Sequence, residues 1–115
     1  MSVKPIVLRQ AADRDIEAAT RFYVREAGRP VALRFLDEID RALAAIGRTP
    51  AIGSPRYAHE LATPGLRTRI LQRFPFLIFY REENDHIDVW RILHAQRDIP
   101  GQWGEGDAST GPAGG

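Results

Sequence analysis

The side chains best suited to handling anions and protons gather in the second half of the chain: Arg67, Arg69, Arg73, Arg81 and Arg91, then His94, with Tyr80 among them. From Arg56 to Arg81 five arginines share the span with one acid, Glu60. A guanidinium offers planar, forked donors that match carboxylate or phosphate oxygens. Strand alternation puts Arg67 and Arg69 on one face, Arg73 at the following turn, and Arg81 and Arg91 on neighbouring strands. The set therefore reads as a binding surface for an acidic or phosphate-bearing partner. The competing reading has each arginine lying over sheet hydrophobics and pairing with Glu60, Glu82, Asp88 or Asp98, where exposed ion pairs contribute little.

His94 follows directly on an apolar strand. An imidazole titrating near neutrality can act as acid or base; it can equally cap the sheet or seat the C-terminal turn, and the structural role comes first because geometry must precede any catalytic claim. Trp90 reads as core and not as a stacking platform. The Tyr80 ring suits the core, while its hydroxyl needs a partner or a task.

Other chemistries are discounted. Cysteine is absent from the 115 residues, so there is no disulfide, thiolate metal site or cysteine nucleophile. His59, His86 and His94 lack metal-ligand spacing, and no metal or other cofactor is expected. Ser2, Ser54 and Ser109 sit in no nucleophile elbow, and no Walker loop occurs. A net charge of +1 with 43% hydrophobic and 27% charged residues is that of an ordinary globular protein and not of a nucleic-acid coat. No apolar run approaches the roughly 20 residues of a membrane span, and the N-terminus resembles no secretory signal, which places the protein in the cytoplasm and off the membrane.

The elements that must position these residues follow from periodicity. Val3 to Arg9 is short and β-branched, with Pro5 marking an edge strand. Ala12, Ile16, Ala19 and Tyr23 recur at helical spacing, Phe22 widens the stripe, and Gly28 ends it. Pro30 restarts a helix whose stripe is Ala32, Phe35, Leu36, Ile39, Leu43 and Ile46. Arg34 and Arg41 on its outer face alternate with Asp37, Glu38 and Asp40, which would repel a DNA duplex, so sequence-specific DNA binding is not expected. Thr49 to Tyr57 is loop. Leu66 to Leu71, Phe76 to Glu82 and Ile87 to Leu93 are strands joined by gaps too short for parallel crossovers, hence an antiparallel meander. The fold class is α+β, ordered βααβββ, with an α-hairpin on one sheet face and the other face free. Residues 1–100 form one domain; residues 101–115 are a Gly-rich tail, disordered beyond about Trp103.

Read in order, A-x-x-D-I at Ala12 to Ile16, A-L-R-F-L-D-E-I at Ala32 to Ile39, T-P-A-I-G at Thr49 to Gly53, G-L-R at Gly65 to Arg67, F-P-F-L-I-F-Y-R at Phe74 to Arg81 and L-H-A-Q-R-D at Leu93 to Asp98 resemble the RelE/ParE toxin superfamily, its ParE branch most closely. The resemblance implies the toxin of a type II toxin–antitoxin module, masked by a cognate antitoxin that is acidic where it wraps the toxin. ParE-like members bind and inhibit DNA gyrase without chemistry. RelE-like members cut messenger RNA in the ribosome, and for that activity the corresponding set here is Arg67, Arg73, Tyr80 and His94. Nuclease members tend to carry lysines and a C-terminal tyrosine pair; this chain has no lysine after Lys4, and Ala95 and Gln96 follow His94. Gyrase inhibition is thus the first expectation, with Arg67, Arg69, Arg73, Arg81, Arg91 and His94 as target-binding residues, mRNA cleavage the second, and antitoxin binding alone the third.

Overall fold

The computed structural model describes residues 3–104. Strand β1 (Ile6–Leu8) leads into helix α1 (Gln10–Ala27), which is joined to α2 (Arg29–Arg48) through Gly28 alone. That single-residue joint needs glycine because its φ is +92°, a conformation that a side chain would strain. A 3-10 turn at Pro50–Ile52 and a long loop reach β2 (Leu66–Ile70), β3 (Phe76–Glu82) and β4 (Ile87–His94), and residues 99–104 close the described chain as a helical turn. The sheet order is β1-β4-β3-β2. The last three strands form the expected antiparallel meander, while β1 pairs parallel with β4 at the far edge.

One face of the sheet takes the helix hairpin. Phe35, Ile39 and Ile46 from α2 and Ala12 and Ala19 from α1 pack on Ile78, Tyr80, Ile87, Val89 and Ile92. Tyr23, Phe35, Phe74 and Phe76 form an aromatic cluster at one end of this layer, with the Phe35 ring 5.3 Å from both Phe74 and Phe76. The alternation of β4 is reset by a bulge: Tyr80 pairs with Val89 but Phe79 pairs with Arg91, leaving Trp90 without a partner. Ile87 and Val89 before the bulge, and Ile92 after it, can therefore all face the helices.

The opposite face is not free. Leu66, Leu77, Phe79 and Leu93 are buried there beneath Tyr57 and Leu61 of the long loop and Ile99 and Trp103 of the final turn. Every residue from Phe76 to Tyr80 is buried, so β3 is covered on both sides, as a continuous apolar run requires. The covering segments escaped the sequence reading because they have no helical or strand period. Trp103, expected at the start of the tail, belongs to this second layer; the expected disordered tail after residue 104 lies outside the described residues. Phe22 also departs from expectation: it is 44% exposed and not part of the core stripe.

Trp103 lies flat on Trp90, with centroids 5.5 Å apart and planes 9° apart, and tilts against Phe79. Because it is only partly buried, Trp103→Ala should cost somewhat less than a full core aromatic, about 2 kcal/mol in urea unfolding. An unchanged midpoint would mean that the C-terminal turn does not stabilise the second layer.

Candidate functional site

The arginines do not converge on one open face. Arg67 and Arg69 are indeed on one side of β2, but it is the helix side, since they pair across the ladder with Tyr80 and Ile78. Arg81 pairs with Leu66 and so emerges on the opposite side, where Nε donates to Glu83 at 2.7 Å and the guanidinium lies 5.5 Å from the Trp90 ring. Arg9 lies over the same indole at 3.7 Å and holds Asp88 with two hydrogen bonds. Arg91 is buried and makes a two-pronged bond to Asp15 of α1, at 2.7 and 2.8 Å, and a third to the Gln102 carbonyl. Asp15 also accepts the Ile92 backbone N–H. Breaking such a buried pair from one side costs roughly 3–5 kcal/mol, so Arg91 ties α1 to β4 and is not a surface donor.

Tyr80 is fully buried, and its hydroxyl already has two partners: it donates to the Pro50 carbonyl at 2.6 Å and accepts the Gly53 N–H at 2.9 Å. Burial pushes the phenol above its ordinary pKa against the opposing pull of the Gly53 N–H and of Arg67 and Arg69. Arg67 completes the same fastening, with Nη1 donating to the Gly53 carbonyl at 2.8 Å. Ser54 and Thr68 then exchange backbone hydrogen bonds at 2.8 Å each way. The loop after α2 is thereby pinned to β2 and β3, and both Tyr80 and Arg67 are occupied in pinning it.

Arg69 and Arg73 remain. With Arg34 and Arg41 of α2 they line a groove of about 640 Å³ between α2 and the C-terminal end of β2, with Leu71, Phe74 and the exposed Ile70 among its lining residues. The acids there are Asp37, paired with Arg41 at 3.0 Å, and Glu38, which accepts the Arg73 backbone N–H at 2.7 Å. Among the described residues Arg34, Arg69 and Arg73 have no carboxylate within ion-pair distance. Arg34 was missed as a site residue because on the sequence it looks like any charge on a solvated helix face; only the position of the β2 edge gives it neighbours.

His94 pairs across the sheet with Phe76, its ring 5.1 Å from that phenyl. Its Nδ1 accepts the Gln96 N–H at 3.2 Å, which leaves the proton of the neutral ring on Nε2. Gln102 brackets the His94 backbone: Oε1 accepts its N–H and Nε2 donates to its carbonyl. Burial first, and the Arg97 charge second, hold the imidazole below its ordinary pKa. No cluster of His, Cys, Asp or Glu suited to a metal occurs among the described residues.

The family model described as the ParE toxin of type II toxin–antitoxin system, parDE, matches residues 6–99, and the chain belongs to that family. It is accordingly of the toxin class of a type II toxin–antitoxin module. A solved structure titled as the chromosomal ParDE TA system from P. aeruginosa matches with a TM-score of 0.69 at 24% identity, covering 82% of this chain and 98% of that one, a likeness of fold. A search of curated proteins finds no match. No helix among the described residues is long and apolar enough to cross a membrane.

Two outcomes are expected. A Cβ at Gly53 would stand 2.5 Å from the Tyr80 hydroxyl, so Gly53→Ala should destabilise the fold by about 2–3 kcal/mol in urea unfolding, as removal of a buried hydrogen-bonded partner does; a neutral result would show that the loop is not pinned there. His94 has a folded pKa below its unfolded value near 6.5, so between those two values the unfolded chain binds more protons and stability falls as pH falls. An NMR titration that placed His94 at or above 6.5 would contradict the partly buried, neutral ring.

Proposed function

We propose that the chain inhibits DNA gyrase by binding it, and that a cognate antitoxin, acidic where it wraps the toxin, neutralises it. The observation that carries this reading over mRNA cleavage is the state of Tyr80. Cleavage by attack of a ribose 2′-hydroxyl needs a base, an acid and cations held around one phosphate. The Tyr80 hydroxyl is buried and doubly bonded, and Arg67 is spent on the Gly53 carbonyl. His94 stands at the end of β4, beside Phe76, with Nδ1 already accepting a hydrogen bond. A binding surface asks less: Arg34, Arg69 and Arg73 along the β2 edge, with Ile70 exposed beside them, make a cationic rim around an apolar floor, the composition that favours a protein partner with acidic groups.

The test is addition of the purified chain to two assays, supercoiling by gyrase and ribosome-coupled mRNA cleavage. Inhibition of supercoiling without cleavage is expected. Arg69→Ala with Arg73→Ala should weaken inhibition at least about tenfold, as loss of interfacial charge does, with the thermal midpoint unmoved. Cleavage of mRNA, or full inhibition by the double variant, would overturn the reading.

A further inference from the structure

At the β1 edge the sheet ends in backbone groups that are left over. In the parallel ladder with β4 the Pro5 carbonyl accepts the Ile87 N–H and the Arg9 N–H donates to the Val89 carbonyl, so residues 5, 7 and 9 turn toward β4. The N–H and C=O groups of Ile6 and Leu8 therefore point the other way, where the sheet has no further strand. Among the described residues no backbone group bonds to any of the four.

The devices that blunt an edge strand are turned inward here. Pro5 could have removed a donor from the edge, but its nitrogen lies on the β4 side with its carbonyl. The strand itself is uncharged, and Val7 is 49% exposed, with Val3 at 61% before it. The flanking cations are occupied within the chain: Lys4 Nζ donates to Glu82 at 2.7 Å, and Arg9 holds Asp88 with two hydrogen bonds. The other edge of the sheet is treated differently. On β2, Thr68 exchanges backbone bonds with Ser54 and the Leu66 N–H donates to Thr63, so most of that edge is already paired.

We propose that the β1 edge pairs with the β1 edge of a second copy, antiparallel about a two-fold axis at Val7. In that register Ile6 of each copy exchanges both its hydrogen bonds with Leu8 of the other, which satisfies all the free groups. Val7 meets Val7 as the closer, non-hydrogen-bonded pair, and Pro5 stands opposite Arg9. Charge selects this occupant. With Lys4 and Arg9 neutralised in their own chain, an acidic strand gains nothing at this edge, while an identical apolar strand meets no like charge. Three residues of ladder per copy bury much less than the roughly 1,200 Å² of a standard interface, so a dissociation constant of about 10–1,000 µM is expected. The product is one continuous eight-stranded sheet with β2 at both ends, seven strand spacings or about 34 Å apart. It therefore presents two copies of the groove between α2 and β2 and is bivalent, whatever that groove binds.

The experiment is sedimentation equilibrium of the purified full chain, whose mass should rise from 12.9 kDa toward twice that value as its concentration approaches about 1 mM. Over the same range, amide exchange followed by NMR should slow at Ile6 and Leu8 and stay unchanged at Ile70. Val7→Glu sets like charges directly opposite each other and should weaken association about fivefold or more, while Val7→Thr, branched in the same way, stays within about twofold. Because the chain has no cysteine, Val7→Cys supplies a single thiol. Oxidation should join two copies there, since a central pair with Cα atoms about 4.5 Å apart lies within disulfide reach. Ile70→Cys, 57% exposed before substitution, should stay unlinked. A mass of 12.9 kDa at every concentration would overturn the proposal. So would association that leaves the Ile6 and Leu8 amides unprotected, or disulfide formation at position 70 equal to that at position 7.

Discussion

The burial of β3 on both faces is the constraint from which the placement of charge follows. Phe76 to Tyr80 leaves no side of the central strand for a cation, and a guanidinium taken into either layer must bring its own partner. Arg91 does so with Asp15, and the bulge at Trp90 turns the strand enough for it to reach α1 while Ile92 keeps its place in the core. The other arginines emerge where the sheet ends, at the β2 edge or on the rim of the second layer. A basic sequence stretch is thereby divided into fasteners and free donors.

The fasteners have a common purpose. Tyr80 and Arg67 grip the two polar groups of Gly53, the hydroxyl taking the N–H and the guanidinium the carbonyl. This fixes the path of the chain between α2 and the long loop that covers the second face. Without a side chain at residue 53 the phenol can come this close; with one it cannot. Gln102 serves similarly at the other end, completing the His94 peptide and offering its own carbonyl to Arg91, so that the final turn lies over Phe79. Both covers of the second layer are tied to sheet residues by hydrogen bonds.

Much of this was legible. The helix stripes, the turn punctuation and the three strands were set by local periodicity, and the ordered motifs from Ala12 to Asp98 pointed to the family. The parallel partnership of β1 was not legible, because three residues of strand carry no register. Nor was the covered second face, although the unbroken F-L-I-F-Y run was its signal, alternation being absent where both sides are buried. Among site residues, Arg69 and Arg73 line one groove, whereas Arg67 went to the Gly53 carbonyl and Arg81 and Arg91 to Glu83 and Asp15. The Asp15 contact spans 76 residues and no spacing rule gives it. Phe22 was read as core since an apolar residue beside a helical stripe looks the same whether it faces inward or out.

The central proposal is that the β2 edge around Ile70, and not the covered faces, meets the target. A photo-crosslinking side chain at Ile70, 57% exposed on that edge, can be compared with one at Val7, 49% exposed on the β1 edge, in mixtures of the chain with gyrase holoenzyme. Gyrase adducts from position 70 and none from position 7 are expected; adducts from position 7 alone would contradict the assignment of the edge.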